Sequence, residues 1–302
     1  MTGAQAHRPA VDPRLAVIAG VLFVSTSAIL IRLSTAPPLA IAFHRMAVAA
    51  VLTAPRFLGR PPQRVLTLSG RDLALALLSG LFLALHFASW ISSLFLTSVA
   101  SATVLVNLHP IIVVLLGVAL LRERITAGGL FWVLVSVAGS AVLALGGTSA
   151  GETATAGNLL AVGGAVAVSG YMLIGRLLRQ RVDTGLYTLL VYGASAVFLL
   201  LWCIAAGVDL GPYPPREYVL FALLAVFPTI LGHSVFNWAL RYVRASFVAT
   251  SVLGEPVFAT ILAVFFFAEL PTVWTLVGGA MILVGIYAFT RREAAARAAA
   301  AG

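Results

Sequence analysis

Lysine is absent from this 302-residue chain, and charge of either sign is scarce: Asp, Glu and Arg together make up 10% of it. Soluble domains carry about a quarter charged residues, so the composition excludes an ordinary soluble fold. There is one cysteine, Cys203, inside an apolar run, which excludes an intrachain disulfide and a cysteine metal cluster. No phosphate-binding loop occurs, which argues against nucleotide-driven work within the chain. The net charge of +9 would suit a nucleic-acid binder. The arginines, however, stand in short gaps between apolar runs rather than in one patch, and that pattern reports membrane topology.

What the chain has in abundance is apolar residues, 61% of the total, gathered in runs of close to twenty. That length crosses a roughly 30 Å hydrocarbon core. Most runs lack the polar face of a soluble helix. Ten spans can be drawn, over about 15–35, 38–55, 72–93, 97–121, 126–146, 157–176, 185–207, 216–239, 246–267 and 271–290. Alternate gaps hold 16 of the 19 arginines, the opposite gaps hold Arg216 alone, and Arg32 and Arg45 lie inside spans. This bias predicts both termini in the cytoplasm. The polar stretch Met1–Arg14 is expected to be disordered. The run Leu15–Ile31 is expected to be a retained first helix, because it lacks a small-residue cleavage site and similar spans follow it.

The chain repeats itself. At a shift of 146 residues Leu94 meets Leu240, Pro110 meets Pro256, Glu123 meets Glu269, Thr126 meets Thr272, Leu130 meets Leu276 and Gly139 meets Gly285. The predicted organisation is a cytoplasmic N-terminus over 1–14, a five-helix repeat over 15–146, an extracytoplasmic linker over 147–156, a second five-helix repeat over 157–290 and a cytoplasmic tail over 291–302. An odd number of spans per repeat sends the second half into the membrane from the opposite side, giving two inverted halves about a pseudo-two-fold axis in the membrane plane. That geometry suits alternating access.

Thr97–Glu123 reads TSVASATVLVNLHPIIVVLLGVALLRE and Ala245–Glu269 reads ASFVATSVLGEPVFATILAVFFFAE. The pair resembles the two halves of EamA-type transporters of the drug/metabolite transporter superfamily, in which a proline-bearing helix ends in Glu just before the next helix. Ala28–Arg32 (AILIR), Pro38–Arg45 (PLAIAFHR) and Gly170–Arg179 (GYMLIGRLLR) are similar to that family as well. The resemblance covers nearly the whole chain. It implies a ten-helix inverted-repeat fold, a bacterial inner-membrane location and substrates among small metabolites, amino acids or drugs.

Pro110 and Pro256 each remove one helical hydrogen bond and free the carbonyl four residues earlier, Val106 or Val252. Paired breaks at matching positions point to a transport site, whereas a packing kink would need no ligand. Glu255, before Pro256, is the only acidic residue deep in any span. A charge there costs roughly 2.5–3.5 kcal/mol on insertion scales, so it must be protonated, paired or hydrated, and it is a candidate to bind a substrate amine or a proton. Its counterpart is His109. His86 and Trp90 share one helix face, as do His233 and Asn237, with Trp238 adjacent. These residues, with Tyr171, could line a cavity or simply bond between helices. Arg45 and His44 are candidates for a substrate carboxylate, against an ion pair or snorkelling for Arg45. Glu123, Glu269, Thr126 and Thr272 read as turn-stabilising, and the glycines as close-packing sites.

The expected function is secondary active transport of small metabolites such as amino acids through a midplane cavity, and the resemblance implies that the direction is export. The partners are a small-molecule substrate, the lipid bilayer and a proton as candidate coupling ion. No cofactor, metal or nucleic acid is expected, and the oligomeric state stays open, monomer included. Two rivals stand beside this reading. One is a membrane enzyme acting on lipids or isoprenoids, which usually shows clustered Asp, His or Glu; here the four intramembrane histidines occupy separate spans. The other is a passive facilitator.

Overall fold

The computed structural model describes residues 11–55, 68–97, 102, 105–122, 125–144, 154–267 and 271–301. Glu123, Glu269, residues 1–10 and most of the linker lie outside them. Every regular element among the described residues is helical.

Helix α1 (Pro13–Val24) passes almost directly into α2 (Thr26–Leu33), followed by α3 (Pro38–Thr53), α4 (Gly70–Leu96), α5 (His109–Leu121) and α6 (Ala127–Ala144). The second half comprises α7 (Ala154–Leu178), α8 (Thr184–Ala205), α9 (Pro215–Leu224), a π-helical stretch (Ala225–His233), α10 (Ser234–Ala239), α11 (Ala245–Val252), α12 (Glu255–Phe267) and α13 (Val273–Ala301). Local chemistry sets the starts. Pro13, Pro38 and Pro215 occupy first-turn positions, where a missing N–H costs nothing. Ser69 accepts from Asp72 N, Asp183 from Gly185 N and Leu186 N, and Thr126 from Gly129 N, each satisfying an orphan donor of the first turn.

Among the described residues six helical stretches are long and apolar enough to cross a membrane: Pro13–Leu33, Gly70–Leu96, Thr155–Leu178, Thr184–Ala205, Pro215–Ala239 and Ala245–Phe266. Pro38–Thr53, His109–Leu121 and Ala127–Val142 are shorter apolar helices. Large apolar side chains face outward all round the bundle, Phe265 being 81% exposed and Leu120 68%. An apolar exterior of this extent needs lipid or a partner to cover it, and together with the helix lengths it marks a multi-pass membrane protein.

The two halves are related by reciprocal packing. Helices α6 and α13 run antiparallel. A Cβ on Gly139 would meet Gly278 O at 2.8 Å and Met281 Cβ at 2.8 Å, and a Cβ on Gly285 would meet Trp132 O at 2.9 Å. Trp132 and Gly278 are 146 positions apart, as are Gly139 and Gly285. Each glycine therefore packs on the counterpart of the residue that packs on the other, the signature of a two-fold axis. The pair α3 with α8 also brings counterpart helices together, and α5 packs on α11, the other segment of its counterpart span.

The repeat is not uniform. Arg71-Asp72 and Arg216-Glu217 are 145 apart, whereas His86 and His233 are 147 apart. Between these landmarks α4 is continuous α-helix, while the second half carries the π-helical stretch. A π turn closes i→i−5 and absorbs extra residues. Pro228 lies inside this stretch and frees the Leu224 carbonyl, which Thr229 Oγ1 takes up at 2.9 Å.

Candidate functional site

Both proline helices are interrupted rather than bent. The backbone leaves α-helical form at Asn107–Leu108 and again at Leu253–Gly254, and the second segments restart on His109 and Glu255. Glu255 thus begins α12, where the positive end of the helix dipole favours a carboxylate. At the other break His109 Nδ1 contacts Val106 O at 3.0 Å, and Val106 is the carbonyl that Pro110 orphans. The acceptor is a carbonyl, so Nδ1 carries the proton and Nε2 is left as an acceptor in the neutral ring. His86 is fixed in the same tautomer by Gly164 O at 3.0 Å.

Arg45 is 1% exposed. Its Nε donates to Thr229 Oγ1 at 2.8 Å and its Nη1 to Ser27 Oγ at 3.0 Å. The guanidinium lies 4.1 Å from the Phe87 ring centroid, a cation–π contact. These three contacts come from α2, α4 and the π-helical stretch, so the π geometry that places the buried Thr229 also orients Arg45. Glu255 and Arg45 lie within electrostatic reach of each other. His86 and His233 both lie against the Phe87 ring, at 5.0 and 5.5 Å. Separation along the sequence does not keep these two histidines apart in space. Among the described residues no group of three His, Cys, Asp or Glu side chains has metal-holding geometry.

Around this charge centre the rings of His86 and Trp90 stack 6.1 Å apart at 2°. His233 meets Phe87 edge-on at 5.5 Å and lies 6.2 Å from Tyr171. Tyr171 Oη donates to Asn237 Oδ1 at 2.8 Å. Trp90 Nε1, Asn107 Nδ2, Asn237 Nδ2 and Thr250 Oγ1 are buried without a hydrogen-bond partner among the described residues. Each such group costs about 1–3 kcal/mol. The arrangement therefore offers donors, imidazole acceptors, one guanidinium and one carboxylate, which together can meet a solute bearing both charges.

Two of the sequence-derived candidates lie elsewhere. His44 bonds Ala40 O at 2.9 Å and stacks on Phe221 at 4.5 Å, beside Tyr213 and Tyr218. Trp238 packs on Tyr242 at 5.1 Å. Sequence reasoning passed over Phe87, Ser27, Thr229, Asn107, Thr250 and Tyr192, whose Oη pairs with Ser234 Oγ at 2.9 Å. Asn107 and Pro228 carried a signal, being polar or helix-breaking inside apolar runs.

The sequence profile of the EamA-like transporter family matches residues 14–145 and 155–291, one copy per half. This chain belongs to the EamA-like transporter family. A relative described as an uncharacterized transporter, from Archaeoglobus fulgidus (strain ATCC 49558 / DSM 4304 / JCM 9628 / NBRC 100126 / VC-16), is 36% identical over 63 residues. That match spans 21% of this chain and 23% of the relative's length. One solved crystal structure superposes with a TM-score of 0.78 over 93% of this EamA-like chain and 98% of that one, at 21% identity. At that identity the likeness speaks for the fold alone. Family and relative together point to transport.

Proposed function

We propose that this EamA-like protein is a secondary active transporter that exports small zwitterionic metabolites, amino acids foremost, by alternating access. In this reading the chain crosses a bacterial inner membrane ten times with both ends in the cytoplasm, and the two helix breaks meet near the midplane. Arg45 takes a substrate carboxylate, Glu255 takes an amine or a proton, and His86, His109, His233, Trp90, Asn237 and Tyr171 shape the cavity. The observation that carries the reading is that Arg45 of the first half is buried and held by Thr229 and Ser27, within electrostatic reach of Glu255 at the helix break of the second. An inverted pair of halves has reason to meet at a charge centre if that centre serves both sides in turn.

The test is a thermal-shift screen of amino acids and related solutes on purified protein, followed by flux into and out of proteoliposomes. The reading predicts stabilisation by zwitterions over their esters or N-acyl derivatives, and flux of the same solutes. Flux no greater than in empty liposomes for every stabilising solute would remove it.

A further inference from the structure

Outside the central site, one buried carboxylate is unused by the reading above. Glu217, in the first turn of α9, is 3% exposed. Its Oε2 accepts from Ser34 Oγ at 2.5 Å, and its Oε1 accepts from Thr35 N at 3.1 Å and Thr35 Oγ1 at 3.0 Å. Next to it Arg216 Nη2 donates to Leu33 O at 3.0 Å. The start of α9, in the second half, is thereby fastened to the end of α2, in the first.

A matching contact exists at the opposite end of the bundle. Asp72, in the first turn of α4, lies 2.6 Å from Arg181 Nη2, which follows the end of α7. This is a charge contact without hydrogen-bond alignment, because Asp72 Oδ1 has no hydrogen-bond partner among the described residues. Glu217 follows Asp72 by 145 residues, and Arg181 follows Thr35 by 146. The two fastenings are therefore counterparts under the repeat, each joining a helix start in one half to a helix end in the other. They lie at opposite ends because α3, 16 residues long and about 24 Å at helical rise, runs from one end to the other. They differ in kind. Glu217 is enclosed and held by three hydrogen bonds, whereas the Arg181 side chain is 55% exposed, and exposed ion pairs contribute little.

We infer that these contacts are the two gate clasps of the protein, a strong one at Glu217–Ser34/Thr35 and a weak one at Asp72–Arg181, and that they are released in turn. This rests on the alternating-access reading. Each clasp joins the halves at one end only. Relative motion of the halves that opens that end must break it, and it can leave the other intact. The inequality sets the resting preference: the Asp72 end opens more readily than the Glu217 end.

The experiment is thiol accessibility in proteoliposomes, in a Cys203→Ser background, with an impermeant maleimide added to either side. Ile31→Cys reports the Glu217 end and Ala76→Cys the Asp72 end; both native side chains are buried. Glu217→Ala should raise labelling at Ile31→Cys about tenfold and lower it at Ala76→Cys, as a shifted two-state equilibrium requires. Asp72→Asn should do the reverse by about two- to threefold. If Glu217→Ala does not accumulate, Ser34→Ala and Thr35→Val, which each remove one side-chain donor, should shift labelling in the same sense by less. Unchanged labelling overturns the proposal. So does a rise at both ends with a lower melting temperature, which would make Glu217 a structural staple. The assay needs no solute: reciprocal labelling without flux would keep the clasps and remove the transport reading, and flux with unresponsive labelling would do the opposite.

Discussion

Ser136 Oγ lies 3.4 Å from the carbonyl oxygen of Ile282, and the two residues are 146 positions apart, so each is the other's counterpart in the repeat. Counterparts touch only where a two-fold axis passes. The crossing of α6 and α13 is such a point, and the glycines on either side of it, Gly139 and Gly285, let the helices approach.

Alanine at Gly139 or Gly285 should therefore destabilise the protein by about 1–3 kcal/mol, the usual cost of overpacking. The added Cβ would stand 2.8 Å from Gly278 O in one case and 2.9 Å from Trp132 O in the other, and backbone cannot rotate away. Gly163→Ala, where nothing lies within 4 Å of the new carbon, should leave stability unchanged or raise it by up to about 1 kcal/mol. Thermal melts of the purified variants separate the two outcomes.

Arg45→Lys keeps the charge and should still impair transport about tenfold or more. A lysine ammonium cannot hold Thr229 and Ser27 with two directed N–H groups while lying flat on Phe87. Phe87→Leu removes a cation–π contact of about 0.5–2 kcal/mol and should give a smaller loss in the same direction. Flux at saturating and at low solute would show whether the loss lies in binding or in turnover; an Arg45→Lys protein with native flux contradicts the proposed role.

Glu255→Gln should abolish uphill movement driven by a pH gradient while preserving solute exchange, if the coupling proton rides on this carboxylate. Counterflow with preloaded liposomes measures exchange, and accumulation under an imposed gradient measures coupling. Loss of both would make Glu255 a substrate ligand rather than the proton carrier.

Pro228→Ala returns an N–H to the π-helical stretch and lets the local helix close i→i−4. It should melt at the same or a higher temperature than the native protein, yet lose flux severalfold, because Thr229 and His233 would be turned out of register with Arg45 and Phe87. Equal loss of stability and flux would mean that the stretch is only a packing solution.

The polar residues of the centre were legible because each interrupts an apolar run: Arg45, His86, His109, His233 and Glu255 had few other reasons to be there. The paired breaks were legible from Pro110 and Pro256. The π-helical stretch was not, since hydropathy reads alike for i→i−4 and i→i−5 bonding. Its trace was the drift of the repeat from 145 at Arg-Asp/Arg-Glu to 147 at His/His. His44 adjoins Arg45 in sequence, but consecutive helical residues point about 100° apart, and His44 turns to the aromatic group around Phe221. Glu217 sat too near a span boundary to count as intramembrane, although the fold encloses it.

The π-helical stretch also means that the halves are unequal copies. Were they identical, exchanging their conformations would yield a mirror state of equal energy, and the protein would rest on either side of the membrane indifferently. With nine π-helical residues in one half and a continuous α4 in the other, the two states of the proposed cycle would differ in energy. On the alternating-access reading proposed above, the molecule is a valve with a default position, and the backbone adds its own bias to that of the unequal clasps.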